Sequence, residues 1–301
     1  MKKIFVFVAV IAVFSAFIII PSCQSGKASA GKMLKFNLEK GKGYDYEIIW
    51  DLETNIDTIK FSKINIAGLY AMEVIDDSAG IKTLSTVYKD LRMNIDMRGI
   101  SMNIESNKPD TSGQDEANLP QKMMTKMFSA IIGKPFIIKA DEEGNVIEVK
   151  GFDALITSMV DSVALSEDQK MIALATMKGQ FNDEEIKNQF AQALTIFPNK
   201  EVKVGDSWEK SYAVGGQMPS KLAATYTVKQ IEGDHVTMTS KAKISSGGSE
   251  TQISGDQDGN IIVDSKTGLV INAEFKQDIQ VNANGRKAKI TGKGKIKGSA
   301  Q

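Results

Sequence analysis

The stretch from residue 44 to residue 56 reads Tyr44-Asp45-Tyr46-Glu47-Ile48-Ile49-Trp50-Asp51-Leu52-Glu53-Thr54-Asn55-Ile56. Its even-numbered positions are mostly apolar, whereas its odd-numbered positions are mostly polar. Such alternation is typical of a β-strand that turns one row of side chains to a core and the other to water. The stretch therefore predicts a long strand with one buried face.

The same alternation recurs further along the chain. After a hairpin turn predicted at residues 76–80, it returns in Leu91, Met93, Ile95 and Met97. It returns again between residues 269 and 282, just before Asn284-Gly285, a dipeptide typical of two-residue hairpins. Many strands joined by short turns predict a large antiparallel sheet.

The middle of the chain, from about residue 118 to about residue 197, has a helical apolar period instead. Ser166 with Gln169, and Asn182 with Glu185, have the spacing of N-terminal helix caps. Residues 136–149 predict a hairpin between the first and second helices. The middle segment therefore predicts a group of short helices interrupted by one hairpin.

Together these patterns predict an α+β fold: a large curved antiparallel β-sheet with a central helical segment packed on one face. We expect a single domain at residues 33–301, with the helical insert at about 118–197. In shape it is similar to the periplasmic lipoprotein carriers, a likeness of fold that says nothing about a site.

The first 23 residues predict a cellular address. Lys2 and Lys3 precede an apolar run from Ile4 to Ile20, and Ser22 precedes Cys23. This order is typical of a bacterial lipoprotein signal, with cleavage between Ser22 and Cys23 and acylation of Cys23. Residues 1–22 would then be the signal peptide, and residues 23–32 the acylated cysteine and a flexible tether. The alternative is a retained membrane helix, for which the run is short, since about 20 apolar residues usually span a bilayer.

The composition excludes several classes of site. Cys23 is the only cysteine and His235 the only histidine. Once Cys23 is acylated, the domain has no thiol, and a single histidine does not complete the usual zinc ligand sets. We therefore predict no catalytic residues, no metal site and no cofactor, and we interpret His235 as a solvated turn residue. No basic stretch is interleaved with aromatic residues, so we expect no nucleic-acid partner.

Two charged patterns have more than one interpretation. Asp256, Asp258 and Asp264 resemble calcium ligands, but Gly259 is misplaced for an EF-hand loop, and a hairpin turn is the preferred interpretation. The C-terminal run alternates lysines with small or apolar residues and could face anionic lipid headgroups. A solvated face or a lysine-protected edge strand is the preferred alternative. These lysines are Lys287, Lys289, Lys293, Lys295 and Lys297.

The methionines of the predicted helices indicate a ligand. Flexible thioethers suit apolar surfaces that adapt to their partners, although ordinary core packing explains them as well. We expect these residues to line a cleft between helices and sheet that binds an apolar, lipid-like ligand. They are Met123, Met124, Met127, Met159, Met171 and Met177, together with Phe128.

Several short segments resemble an uncharacterised envelope lipoprotein family of Bacteroidota, described only as a domain of unknown function. Besides the signal, the matching segments are Leu38-Glu39-Lys40-Gly41 before Tyr44, Gly133-Lys134-Pro135-Phe136 with Gly144 and Val149, Pro198 to Trp208, and Asp264 to Leu269. The resemblance implies no activity. Surface-exported lipoproteins of such bacteria often carry acidic residues after the cysteine, and residues 24–32 contain none. We therefore expect a lipid-anchored protein of the outer membrane that faces the periplasm.

The leading functional prediction is a non-enzymatic envelope lipoprotein that binds an apolar ligand or an envelope protein. A hydrolase that uses carboxylates or a serine in the cleft between sheet and helices is the first alternative. A structural or assembly component of the envelope is the second.

Overall fold

The computed structural model describes residues 31–108, 119–179, 181–214, 220–246, 251–283 and 285–301. Fourteen strands and four helices lie within these ranges. The first strands are β1 (Lys32–Leu34), β2 (Gly43–Ile56), β3 (Ile59–Ser78), β4 (Ile81–Met97), β5 (Ile100–Glu105), β6 (Pro135–Asp141) and β7 (Val146–Lys150). The later strands are β8 (Lys200–Val202), β9 (Ser207–Val214), β10 (Ser220–Glu232), β11 (His235–Ser245), β12 (Thr251–Asp264), β13 (Val270–Ala283) and β14 (Arg286–Ala300). The helices are α1 (Leu119–Ser129), α2 (Phe152–Asp161), α3 (Glu167–Lys178) and α4 (Asp183–Leu194).

One antiparallel sheet contains all of these strands except β1 and β8, which pair with each other. Its order is β7-β6-β4-β3-β2-β14-β13-β12-β11-β10-β9, and β5 pairs with β4 beyond the end of β6. Most neighbours in the sheet are also neighbours in the chain. There are two exceptions. Strand β6 pairs with β4 although β5 lies between them in the chain, and β14 lies at the centre and joins the half that contains β2 to the half that contains β13.

The expected α+β class is wrong, because the fold is β-rich and dominated by this one sheet. Strands of up to 20 residues outweigh helices of 10 to 12 residues. The hairpin β6–β7 takes part of the middle segment into the sheet, and α1 and α3 contain no buried residue. The expected central helical segment is therefore a set of short helices around a sheet that supplies most of the core.

Several local predictions are confirmed. The turn after Ser78 joins β3 to β4, and β6 and β7 form the hairpin expected within residues 136–149. Ser166 and Gln169 form a complete capping box at the start of α3. Asn182 caps α4 by accepting a hydrogen bond from the Glu185 N–H (2.9 Å). The hairpin predicted at Asn284-Gly285 pairs Ala283 with Arg286, although Asn284 itself lies outside the described residues.

The sheet is strongly curved. Its two edge strands, β7 and β9, both contact α4. A helix of 12 residues is about 18 Å long, whereas eleven flat strands would hold their edges about 48 Å apart. The edges also meet through an ion pair between Lys210 Nζ on β9 and Glu143 Oε2 beside β7 (3.1 Å). Helix α4 therefore bridges the two edges from the concave side.

The N-terminal segment covers one end of this curved sheet, which we call the closed end. Leu34, Phe36 and Leu38 are fully buried there. The Phe36 N–H donates to the carbonyl oxygen of Glu142 (2.8 Å), and the Asn37 N–H donates to that of Thr267 (2.8 Å). Residue 31, the first described residue, thus lies at the closed end.

Candidate functional site

The concave face carries two groups of packed apolar side chains. The larger group, the main core, includes residues of α2, α4 and nearly every strand. The smaller one lies on β2, β3 and β4, away from the closed end, and we call it the small cluster. Its buried members are Trp50, Leu52 and Ile64, and its partly buried members are Ile48, Ile66, Met93 and Ile95.

Beside the small cluster, the exposure of apolar side chains increases along β5, the neighbouring strand, toward its first residue. Ile104 on β5 is fully buried, Met102 is half-buried, and Ile100 at the strand start is 58% exposed. Met102 pairs with Ile95, and Ile100 pairs with Met97, so these side chains share the concave face with the small cluster. The result is an apolar surface that water partly reaches.

A β-bulge at Lys89 puts these residues on that face. Leu69 pairs with Asp90 and Tyr70 pairs with Tyr88, so Lys89 is the extra residue in β4. The insertion turns Leu91 and Met93 to the same side as Tyr88. Strict alternation through residues 81–97 would have placed both Leu91 and Met93 on the face opposite Tyr88. The sequence carries no local signal for the bulge.

A cavity of about 40 Å³ lies between α4 and the other half of the sheet. Its wall contains apolar residues such as Phe275 and Ile296 and five polar ones. The polar residues are Gln192, Tyr212, Tyr226, Ser240 and Gln257. The described residues that line this cavity include no charged side chain, so it offers no acid and base pair for hydrolysis.

Two buried tyrosines are held together beside the cavity. The Tyr212 hydroxyl donates to the carbonyl oxygen of Thr195 (3.1 Å) and lies 3.0 Å from the Tyr226 hydroxyl. Burial raises the pKa of Tyr226 to about 12, and burial also raises the pKa of Tyr212. Both phenols therefore stay protonated at neutral pH.

Gln257 is the other distinctive polar group of this wall. It is only 7% exposed, and its Oε1 accepts no hydrogen bond from the described residues. It faces Gln277 across the β12–β13 pair, so two buried amides lie side by side in an apolar interior. A buried acceptor without a donor is costly, so Gln257 Oε1 is a candidate contact for a bound group or an ordered water.

The seven residues expected to line a ligand cleft lie on three helices and differ in burial. Met159 is buried in the main core, and Met127, Phe128 and Met177 pack against that core while partly exposed. Met123 and Met124 are half-buried, and Met171 is 64% exposed. None of the seven lines the 40 Å³ cavity. A ligand bound by this set stays a prediction. Three methionines that the sequence did not assign to a ligand, Met93, Met97 and Met102, lie at or beside the small cluster.

The remaining sequence-based candidates have plain structural roles. His235 is exposed at the start of β11, as expected of a turn residue. The hairpin turn preferred for Asp256 and Asp258 is wrong, because both lie inside strand β12. Residue 259 is a glycine because the Phe275 ring packs against its backbone: a Cβ at this position would lie 2.4 Å from that ring. In the described part of the chain no group of three His, Cys, Asp or Glu side chains could hold a metal ion.

Of the two preferred interpretations of the lysine row, edge protection is wrong, because β14 is the central strand of the sheet. All five lysines are exposed, as a solvated face requires. Carboxylates on both neighbouring strands accompany the row. Lys289 pairs with Asp278 (2.6 Å) and Lys295 with Glu274 (3.2 Å) on one side. Lys293 lies opposite Asp51 on the other. A groove of about 500 Å³ on this outer face is lined by charges of both signs, so the face is mixed rather than basic.

Ser22 and Cys23, the predicted cleavage and acylation residues, lie outside the described residues. Among the helices that are described, none combines the length and the apolar character that a membrane crossing requires.

In the comparison with protein families, the model of a family of unknown function, DUF6263, matches residues 79–270. Comparison with curated proteins finds no match.

Comparison with solved structures finds chains of limited similarity, and three of them illustrate its extent. A structure of lipid–protein interactions in lipovitellin is 11% identical, with a TM-score of 0.44, over 88% of this chain and 26% of that one. The chain thus spans about a quarter of the lipovitellin chain. The β domain of the Bordetella autotransporter BrkA is 6% identical, with a TM-score of 0.23, over 85% and 98% of the two chains. The translocator domain of NalP from Neisseria meningitidis is 4% identical, with a TM-score of 0.21, over 86% and 88%. At TM-scores below 0.5, these likenesses carry no argument about function.

Proposed function

The chain belongs to the DUF6263 family, a family of unknown function, and from its geometry we propose that it is a non-enzymatic envelope lipoprotein that binds an apolar, lipid-like ligand. The ligand lies on the concave face, against the small cluster. One observation carries the proposal: Ile66, Met93 and Ile95 are partly exposed on a face whose other half is buried.

The energetic argument starts from the water that reaches these side chains. Covering them with a ligand stabilises the complex by about 25 cal/mol for each Å² of apolar surface removed from water. A contiguous apolar surface on a concave face is the usual form of a small-molecule site. Met93, Met97 and Met102 add thioethers that adjust to ligands of different shape.

Binding of an apolar probe tests this proposal. Ile95→Asn places an amide in the small cluster, and we expect it to weaken binding of the neutral dye Nile red about tenfold, because the apolar contact is lost. Asp96→Asn, at the next position and exposed on the opposite face, is the matched control and keeps full binding. Dye titration by fluorescence, with mass spectrometry of lipids extracted from the purified protein, gives the measurement.

The proposal fails if the protein neither retains lipid nor takes up the dye. Retention of a co-purifying protein in place of lipid, lost in Ile95→Asn, would identify the surface as a protein-binding site instead.

We propose further that Cys23 carries the lipid anchor and that the protein faces the periplasm from the outer membrane. The order of residues 1–23 supports this proposal, since a basic start, an apolar run and a small residue precede the cysteine. In cells fed labelled palmitate, the wild type should carry label and Cys23→Ala should carry none. Equal labelling of the two would contradict the anchor and leave the ligand site untouched.

A further inference from the structure

The 40 Å³ cavity is chemically distinct from the rest of the concave face. Its polar side chains converge from α4, β9, β10, β11 and β12, while apolar residues surround them. The described lining is neutral throughout. An ionised carboxylate or phosphate has no cation to pair with there, and burying an unpaired charge is very costly.

The wall of the cavity contains one buried acceptor, Gln257 Oε1, that receives no hydrogen bond from the described residues. The Tyr212 hydroxyl gives its proton to the carbonyl oxygen of Thr195, so the Tyr226 hydroxyl is the donor in the contact between the two tyrosines. Both phenolic protons are then committed. Gln257 Oε1 and the free lone pair of Tyr226 remain as acceptors. A group that satisfies Gln257 Oε1 brings a hydrogen-bond donor.

We propose that this cavity binds the polar end of a neutral amphiphile through a hydroxyl or amide N–H, which donates to Gln257 Oε1. The inference rests on the proposed function and names its ligand class, with fatty alcohols and monoacylglycerols as examples. About 40 Å³ holds a small group the size of a few water molecules and not a bulky headgroup.

The register of the strands places Gln257 within the length of one acyl chain from the small cluster. Gln257 pairs with Gln277 on β13, and Gln277 pairs with Gly292 on β14. Gly292 in turn pairs with Leu52 of the small cluster on β2. Three strand spacings separate Gln257 from Leu52, or about 14 Å. A medium-length acyl chain covers this distance, so its polar end can lie at Gln257 while its tail covers the small cluster.

The test compares two ligands with the same twelve-carbon chain, monolauroylglycerol and laurate, at pH 8, where laurate is ionised. Displacement of Nile red from the full chain measures both affinities. We expect monolauroylglycerol to bind at least about tenfold more tightly than laurate. Gln257→Leu should remove most of this preference by weakening monolauroylglycerol binding, while laurate binding stays unchanged. Gln252→Leu, an exposed glutamine of the same strand, is the matched control and should change neither affinity.

A second variant guards against misfolding. Tyr226→Phe keeps the ring and removes the other acceptor, and we expect it to reduce the preference in the same direction. Equal affinities of the wild type for the two ligands would overturn the inference and leave the proposed function standing. The inference would also be overturned by a Gln257→Leu variant that is more stable than the wild type and binds both ligands with unchanged affinity. In that case the cavity would hold water only. Failure of every ligand and of the dye would overturn the proposed function itself.

Discussion

Apolar side chains on the concave face are buried to different degrees in the two halves of the sheet. In the half from β9 to β13, concave-face residues such as Ile244, Ile253 and Ile279 are almost completely buried. In the half from β2 to β5, Ile66, Met93 and Ile95 occupy the same face and stay partly exposed. Both rows are equally apolar, so composition does not explain the difference.

The difference lies in what packs on each half. The segment that follows α4 lies against β9: Trp208 Nε1–H donates to the carbonyl oxygen of Ile196 (2.8 Å), and Tyr212 is bonded to Thr195. The half from β9 to β13 is thus covered by the chain itself. A face that is apolar and only partly covered indicates a function in binding, whereas a fully covered one contributes to stability.

Matched truncations on the two halves should show this contrast most strongly. Ile279→Ala leaves a hole in a fully buried site, and we expect it to lower the free energy of unfolding by about 3–4 kcal/mol. Ile95→Ala removes a side chain that water already reaches, and the expected loss is about 1 kcal/mol. Urea unfolding of the ligand-free protein gives both values. Equal losses would mean that the two halves are equally packed.

Displacing α4 from the sheet should have the next largest effect on stability. Gly144 has a positive φ of 79°, and a Cβ there would meet the Leu194 carbonyl at the end of α4. We therefore expect Gly144→Ala to cost about 3 kcal/mol, from backbone strain and displacement of α4. Gly41→Ala is the control: its φ of 76° is similar, but nothing lies within 4 Å of the added Cβ. The free energy of unfolding of that variant should fall by only about 1 kcal/mol. Similar losses in both variants would mean that the contact between residue 144 and the end of α4 does not contribute.

The smallest expected effect is electrostatic and concerns the closed end. Hydrogen bonds from Lys266 and Lys32 lower the pKa of Asp234 to about 2. A carboxylate with a lowered pKa stabilises the fold above its unfolded pKa, and this contribution disappears as the pH falls from about 4 to about 2. Thermal melting should show Asp234→Asn below the wild type at pH 6 and equal to it near pH 2. Asp256→Asn on the outer face serves as the control, and an unchanged gap at both pH values would contradict the assignment.

Local structure could be predicted well from the sequence. The caps at Ser166 and Asn182 and the hairpin turn after Ser78 depend on residues close together in the chain, and the structure confirms each of them. The alternation in residues 44–56 likewise marks a strand whose Trp50 and Leu52 are buried.

Features that depend on distant residues could not be predicted. Gly259 has the sequence context of a turn, yet it lies inside strand β12. It is a glycine because the Phe275 ring of the next strand occupies the space that a Cβ would fill. The bulge at Lys89 decides which face receives Met93, and only the pairing with β3 defines it. The polar wall around Gln257 assembles from five separate elements, so no local pattern marks the candidate site.

The central place of β14 has a consequence for the order of folding. Residues 288–300 pair with residues 44–56, so the sheet is completed only when two segments far apart in the chain find each other. Contacts of such high sequence separation form slowly. Until they form, β2 presents an open hydrogen-bonding edge to any other strand nearby. A newly made chain therefore depends on pairing with β14 to protect the edge of β2 from aggregation.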